Sequence, residues 1–325
     1  MLYSAATARV VVREPGETLM RELIFRRQPK FRPGRSDDRQ SSVPDDMWRK
    51  CSGCGDLIYA RELERSLHVC PRCGHHFRLS AAERIGLLAD PDSFEPWDER
   101  LSTGDPLDFK IGDERYGQRA KAIAERSDIN EALVTGKIEI NGAPVVIAVT
   151  DFSFMGASMG SAYGEKLARA CQRAVAQRLP LLTVSCSGGA RMQEGLFSLM
   201  QMAKTTAAFD LLRKHRLPHF SLLVDPCYGG VTASYAATAD IVIAEPGARI
   251  GFAGPRVIEQ VTRQKLPDGF QTAEFLLDHG LIDRVVPRAE HRTTLETLMR
   301  LFGRENASPA VAGAATAASG TTSHE

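Results

Sequence analysis

The feature that most restricts the fold of this chain is a set of four cysteines in two close pairs. Their spacing is Cys51-x2-Cys54-x15-Cys70-x2-Cys73, which lies within the range typical of four-cysteine zinc sites. Two thiolates separated by two residues can turn toward one metal ion, and two such pairs complete a tetrahedral shell. The spacing therefore predicts structural zinc, because a closed four-thiolate shell leaves no open position for catalysis. The alternative is that the cysteine pairs are redox-active dithiols.

The composition and the remaining cysteines are typical of a globular protein in a reducing compartment. Cys171, Cys186 and Cys227 are scattered, and the odd total of seven argues against a disulfide scaffold. The N-terminal segment lacks the apolar core of a signal peptide, so we expect a cytoplasmic location. The 325 residues are 43% apolar and carry a net charge of +1, which gives no whole-chain argument for nucleic-acid binding. No apolar run approaches the roughly 18–20 residues of a membrane-spanning helix.

Shifts in composition divide the chain into four parts. These are a flexible arm over 1–46, a four-cysteine zinc ribbon over 47–80, an α/β domain over 81–303 and a disordered Ala/Ser/Thr-rich tail over 304–325. The ribbon is too small to fold on its own core, so metal would supply much of its folding free energy. Because four thiolates complete the shell, we expect the nearby histidines at the surface. They are His68, His75 and His76.

Strand and helix patterns alternate between residues 131 and 303, which predicts an α/β core with mainly parallel strands. Two β-branched runs flank Asn141-Gly142, a strong hairpin signal. Helical spacing of apolar residues predicts helices over SAYGEKLARACQRAVAQR and Leu196–Leu212. Further strands are predicted over LPLLTVS, LPHFSLLVDP, ADIVIAEP and ARIGFAG.

Two of the predicted strands end in a glycine pair that precedes a predicted helix. The pairs are Gly188–Gly189 and Gly229–Gly230. Backbone N–H groups at a helix N-terminus are unpaired and partially positive, and glycine lets a substrate carbonyl approach them closely. Such a turn can stabilise a developing oxyanion or enolate. It can also be a tight turn required only for packing.

Other catalytic motifs are absent or incomplete. The chain contains no P-loop, no dinucleotide fingerprint and no H-E-x-x-H motif. The segment Gly156-Ala-Ser158-Met-Gly160 matches the G-x-S-x-G pattern of a nucleophile elbow. Because no acid and histidine follow in a pattern that suggests a triad, we expect a glycine-rich loop there. The sequence thus offers backbone donors without an obvious side-chain base, which fits a base supplied by the substrate or a cofactor.

Longer segments of the chain occur in an order typical of one enzyme family. Between about Met47 and Val286 the chain reads CSGC, CPRCGHHFRLS, DFSFMGASMGSAYGEK, SCSGGARMQEGLFSLMQMAKTTAA and DPCYGGVTASYA. Together these segments resemble the β subunit of bacterial acetyl-CoA carboxylase carboxyltransferase. The resemblance implies a crotonase-like core behind the zinc ribbon.

The resemblance also implies an activity and partners. The expected reaction transfers the carboxyl group of carboxybiotin, attached to a biotin carboxyl carrier protein, to acetyl-CoA, and yields malonyl-CoA for fatty acid synthesis. The expected partners are a carboxyltransferase α subunit in an α2β2 assembly and biotin carboxylase. By resemblance, Gly188 and Gly189 stabilise the thioester enolate, and Gly229 and Gly230 bind the substrate.

Two positions depart from the family pattern and leave alternatives open. Cys186 stands where alanine is usual, and Cys227–Tyr228 replaces the second half of DPTT. Similar turns occur in enzymes for longer acyl-CoAs, so propionyl-CoA or another acyl-CoA is an alternative substrate. A zinc-ribbon protein that binds nucleic acid and a biotin-independent decarboxylase subunit are further alternatives. We expect Cys186 to act as a small buried side chain and not as a nucleophile.

Overall fold

The computed structural model describes residues 47–303. The predicted N-terminal arm and C-terminal tail lie outside the described residues, and the domain boundaries stay a prediction. None of the helices in the described range combines the length and the apolar character needed to cross a membrane.

Short strands and helices of the ribbon precede a larger α/β unit. The strands are β1 (Trp48–Lys50), β2 (Leu57–Tyr59), β3 (Glu95–Trp97), β4 (Lys110–Ile111), β5 (Glu114–Arg115), β6 (Leu133–Ile140), β7 (Ala143–Thr150), β8 (Leu181–Ser187), β9 (His219–Cys227), β10 (Ile241–Ala244) and β11 (Arg284–Val285). The α-helices are α1 (Ala60–Arg65), α2 (Ala81–Leu88), α3 (Tyr116–Ser127), α4 (Ser161–Gln177), α5 (Leu196–Lys214), α6 (Gly229–Val231), α7 (Pro255–Thr262), α8 (Ala273–Asp278) and α9 (His291–Gly303). A π-helical turn over Thr232–Ala236 continues α6.

The central sheet confirms the predicted α/β core. Its strand order is β11-β10-β9-β8-β7-β6-β3. Pairing is parallel from β7 to β11, and antiparallel for β6 with β7 and for β3 with β6. Every residue of β8 is buried, and because side chains alternate between the two faces of a strand, both faces of the sheet are covered.

The predicted hairpin joins β6 to β7 through Asn141 and Gly142. Both residues have positive φ, 50° and 76°, as a type I′ turn requires. The Asp90 carboxylate accepts hydrogen bonds from both backbone N–H groups, at 3.0 Å and 2.7 Å. The turn is thus held by a side chain that lies some fifty residues earlier in the chain.

One predicted strand is wrong. The segment ARIGFAG runs beside the end of β9, but it pairs there only through an isolated bridge between Cys227 and Ile250. Backbone hydrogen bonds continue as far as Phe252, whose carbonyl accepts from the Gly229 N–H at 2.9 Å, but the segment forms no strand ladder. The short strands β3, β4 and β5 were not predicted, because two or three residues are too few to show an alternating pattern.

One buried arginine makes several hydrogen bonds between the ribbon and the α/β unit. The Arg288 guanidinium donates hydrogen bonds to three ribbon carbonyls, those of Leu67, His68 and Phe77, at 2.9–3.1 Å. The same group pairs with the buried carboxylate of Glu245 at 2.8 Å and 3.0 Å. One side chain therefore joins the ribbon to the end of β10.

Glu245 is a buried anion between two arginines. Arg84 of α2 pairs with it at 2.5 Å, through the same oxygen, Oε1, that Arg288 Nε contacts. Burial alone would raise the pKa of the Glu245 carboxyl, but the two positive charges outweigh it and hold that pKa well below its ordinary value.

His76 does not lie at the surface as expected. It is 9% exposed, and its Nε2 accepts a hydrogen bond from the backbone N–H of Arg288 at 3.3 Å. Burial lowers the pKa of this imidazole. The side chain faces the α/β unit because it follows the second cysteine pair, where the chain passes from the ribbon to the α/β unit.

Candidate active site and metal centre

The four predicted ligands come together in one cluster. The sulfur atoms of Cys51, Cys54, Cys70 and Cys73 all lie within 4.8 Å of one another. The Cys51–Cys73 and Cys54–Cys70 Sγ distances are 3.7 Å and 3.9 Å. A tetrahedral zinc ion with Zn–S bonds of about 2.3 Å requires S–S separations of about 3.8 Å. The cluster therefore fits a tetrahedral zinc ion.

The two halves of the metal centre have the same backbone geometry. Gly55 N–H donates to Cys51 O, and Gly74 N–H donates to Cys70 O, each at 2.9 Å. Both glycines have positive φ, 82° and 73°, a conformation that glycine adopts without strain. The repeated turn directs both sulfur atoms of a pair toward the same point.

The two predicted glycine pairs meet at the carboxyl ends of neighbouring strands. Ser187 at the end of β8 pairs with Cys227 at the end of β9, and Tyr228 N–H donates to Ser187 O at 2.8 Å. A Cβ atom on Gly229 would lie 2.7 Å from Gly189 Cα. The turns are thus in direct backbone contact, and only glycine at position 229 permits this approach. We call these two segments, 188–190 and 228–230, the paired turns.

The hydrogen bonds of the first turn differ from the sequence expectation. Helix α5 begins at Leu196 and not directly after Ala190, because a 3-10 turn over Met192–Glu194 intervenes. Gly188 N–H donates to Gly156 O at 2.8 Å, and Gly189 N–H donates to the Ser187 hydroxyl at 3.0 Å. Among residues 47–303, the Ala190 N–H has no acceptor.

The loop over Gly156–Gly160 supports the first turn. The Ser158 hydroxyl donates to Met155 O at 2.9 Å and accepts from Arg191 Nε at 3.2 Å. Neither partner can remove its proton, so the hydroxyl is not activated as a nucleophile. The segment is a glycine-rich loop, as the sequence indicated.

Sequence analysis missed a buried charge cluster beside the first turn. Arg191 is fully buried, and it pairs with Glu131 and, more loosely, with Glu194 at 3.4 Å. Glu194 also accepts hydrogen bonds from Ser161 N–H and the Tyr116 hydroxyl, each at 2.6 Å. Burial alone would raise the pKa of Glu194, but hydrogen bonds to its carboxylate lower it. The Arg-x-x-Glu spacing is the only sequence signal of this cluster, and it is typical of many solvated helices.

The cysteines next to the paired turns are buried thiols. Cys186 is 4% exposed and Cys227 is fully buried. Burial raises the pKa of Cys186 to about 11 and that of Cys227 to about 12. Both side chains therefore stay protonated at neutral pH, as we expected for Cys186.

An exposed apolar surface begins directly after the first turn. Its members carry large apolar side chains that are at least 48% exposed, and we call them the α5 apolar face: Met192, Leu196, Phe197, Leu199 and Met200. Contiguous exposed apolar residues mark an interaction surface. On α7, Val257 and Val261 are also exposed, and none of its residues is buried.

Residues 76–269, which include the paired turns, match the carboxyl transferase domain, and residues 48–73 match the acetyl-CoA carboxylase zinc finger domain. The fold and the site are thus those of a carboxyltransferase, with a crotonase-like core behind the four-cysteine ribbon. The chain belongs to the family of acetyl-coenzyme A carboxylase carboxyl transferase β subunits, which confirms the resemblance seen in the sequence.

Relatives of that name align over most of the chain. The β subunit of Chloroflexus aurantiacus is 54% identical over 289 residues, which cover 89% of this chain and 94% of the relative. The β subunit of Herpetosiphon aurantiacus is 52% identical over 285 residues, 88% of this chain and 95% of the relative.

Solved structures with the same fold include other carboxyl-handling enzymes. Transcarboxylase 12S, with methylmalonyl-coenzyme A and methylmalonic acid bound, is 28% identical with a TM-score of 0.59. The alignment covers 74% of this chain and 43% of that one, so this chain spans less than half the length of the transcarboxylase chain. A Pseudomonas malonate decarboxylase hetero-tetramer in complex with malonate is 25% identical, with a TM-score of 0.54 and coverage of 70% and 82%.

Proposed function

We propose that this chain binds acetyl-CoA at the paired turns and, with an α subunit, transfers the carboxyl group of carboxybiotin to it, yielding malonyl-CoA. The observation that carries this proposal is the backbone contact between Gly189 and Gly229 at the ends of β8 and β9. In a chain of this family, that contact forms a side-chain-free surface against which a thioester can lie.

In this proposal the first turn supplies the N–H donors that bond to the thioester oxygen. When the α-proton of acetyl-CoA leaves, negative charge develops on the thioester oxygen, and N–H groups placed there act mainly on the transition state. The Ala190 N–H has no acceptor among the described residues, and the Gly189 N–H bonds to a hydroxyl that a thioester oxygen can replace. The Gly188 N–H bonds to Gly156 O and so fixes the turn against the loop, and it does not face the thioester in this proposal.

The base in this proposal does not come from this chain. Glu131 and Glu194 are both engaged by Arg191, and the Cys186 thiol is protonated at neutral pH. Carboxybiotin on its carrier protein would supply the carboxyl group as CO2, and its ureido nitrogen would become the proton acceptor only once the N–carboxyl bond has broken. The chain's own residues bind the acyl group, orient it and stabilise the charge on its oxygen.

The α5 apolar face supports an obligate partner. It lies within a few residues of the paired turns in the sequence, so a subunit that covers it also closes the site. We propose that the α subunit covers this face in an α2β2 assembly. The ribbon cluster would hold one structural zinc ion per chain, and the complex would act in the cytoplasm together with biotin carboxylase.

Reconstitution tests the activity. The chain is combined with an α subunit, biotin carboxylase and biotinylated carrier protein, and product is measured from acetyl-, propionyl- and butyryl-CoA. We expect malonyl-CoA to form only when the α subunit and biotin are both present. A preference for propionyl-CoA, or product without biotin, would contradict the proposal and favour one of the alternatives. Gly189→Val should abolish turnover while zinc content stays at one equivalent, because a β-branched residue is strained at φ 118°.

A further inference from the structure

We propose that Arg191, held by Glu131, is a positioning residue that sets the geometry of the enolate-binding turn. This inference rests on the proposed function of the paired turns. Arg191 lies two residues after Gly189, and its side chain returns toward the loop against which the turn packs. Arg191 is fully buried, so it would act only through the backbone that it holds.

The contacts of Arg191 join the turn to the Gly156–Gly160 loop on both sides. Its backbone N–H donates to Met159 O at 2.9 Å, and Met159 N–H donates to Gly189 O at 2.9 Å. Its Nη2 donates to Ser158 O at 2.6 Å. Both carboxylate oxygens of Glu131 accept from the guanidinium, one of them from Nη1 at 2.8 Å. The Glu131 carboxylate thus fixes the guanidinium through two hydrogen bonds, and the guanidinium in turn fixes the Ser158 carbonyl of the loop.

The loop in turn holds the donors of the first turn. Gly156 O accepts the Gly188 N–H at 2.8 Å, and Ala157 O accepts the Ser187 hydroxyl at 2.8 Å. Met159 of the same loop bonds to Gly189 O and to the Arg191 N–H, so a shift of this loop moves the residues immediately before and after the free Ala190 N–H. Because a misplacement of about 1 Å can cost about 100-fold in rate, the position of the loop bears directly on turnover.

Stability alone does not account for this cluster. Replacing a buried ion pair by apolar residues of similar volume is often neutral or stabilising. The pair Arg191–Glu131 is nevertheless fully buried, at 0% exposure of both side chains. A planar guanidinium, unlike an ammonium, can satisfy a carboxylate and a loop carbonyl in fixed directions at the same time. Such a group suits the task of holding one arrangement of the loop.

Arg191→Lys in the reconstituted complex tests this inference. Lysine keeps the charge beside Glu131 but lacks the planar guanidinium that bonds to the carboxylate and the loop carbonyl in fixed directions. We expect kcat to fall about 100-fold while KM for acetyl-CoA and zinc content are unchanged. Hydrogen exchange of the peptide over 188–191 should become faster. Leu167→Ala, a fully buried residue of α4, is the matched control, and it should lower Tm with little change in kcat or in this exchange.

A kcat of Arg191→Lys no lower than that of Leu167→Ala would overturn the inference. So would a loss of kcat matched by a proportional rise of KM. If Arg191→Lys does not fold, Glu131→Gln provides the test, because the amide keeps the size of the side chain but removes the charge that fixes the guanidinium. Wild-type kcat in soluble Glu131→Gln with unchanged exchange would reject the positioning role. Failure of the proposed function is distinct from these outcomes, because it would be seen in the wild-type complex.

Discussion

A methyl group at Gly229 should separate the paired turns. In Gly229→Ala the new Cβ would lie 2.7 Å from Gly189 Cα, whereas ordinary contacts begin at 3.4 Å. Neither atom belongs to a flexible side chain, so the turns must move apart by about 0.7 Å in a core that is close-packed. Displacement by about 1 Å can cost about 100-fold in rate. We expect kcat for malonyl-CoA formation to fall about 30- to 100-fold.

Gly230→Ala is the matched control one residue away. Its Cβ would meet Met202 Sδ at 3.0 Å, and a methionine side chain can move aside. We expect kcat within about threefold of wild type, with any effect mainly on KM for the acyl-CoA, because Gly230 belongs to the turn that binds it. The positive φ of Gly229, 66°, should also cost the first variant about 1–2 kcal/mol of stability. The test is to measure steady-state kinetics, Tm and zinc content of both variants. Near-normal kcat in Gly229→Ala, or a larger loss in Gly230→Ala, would refute the reasoning.

Three further predictions concern the metal centre, a buried thiol and acid stability. Cys70→Ser/Cys73→Ser should lose its zinc, measured by metal analysis of the purified protein, and an unchanged metal content would contradict the ligand assignment. Cys186→Ala should keep kcat within about tenfold, equivalent to about 1.4 kcal/mol, and a larger loss would show that the thiol takes part in the reaction. The Glu245 pKa is lower in the folded chain than in the unfolded chain, so its stabilisation is complete above about pH 4.3 and is lost as pH falls below that value. Glu245→Gln should therefore lower the urea midpoint at pH 7 and reduce the further drop on acidification; an undiminished acid-induced drop would argue against this carboxylate as its source.

Local signals in the sequence predicted much of the fold. The Asn141-Gly142 turn, the four cysteines and the two glycine pairs each depend on chemistry within a few residues. Parallel strands that end in similar turns must also bring those turns to one edge of the sheet, which explains why Gly189 and Gly229 meet. These features follow from spacing and backbone preference alone.

The buried charges could not be predicted, since their partners are distant in sequence. Arg191 and Glu131 are 60 residues apart, and Arg288 lies more than 200 residues from the ribbon carbonyls that it contacts. A charged residue in a sequence is usually solvated, so only tertiary structure shows which ones are buried. The burial of His76 could not be predicted either, since it contacts Arg288, a residue distant in sequence. Nor could the hydrogen bonds of the Gly188 and Gly189 N–H groups, because one of their acceptors lies in the Gly156–Gly160 loop.

The Arg288 contacts also determine an order of events during synthesis. Phe77 and Arg288 are separated by 211 residues, so at about 5–20 residues per second the arginine is made about 10–40 s after the ribbon. During this interval the ribbon can acquire its metal, while the carbonyls that later accept from Arg288 are still hydrated. Metal binding can thus precede docking, and a nascent chain that stalls before residue 288 would lack the attachment through this arginine.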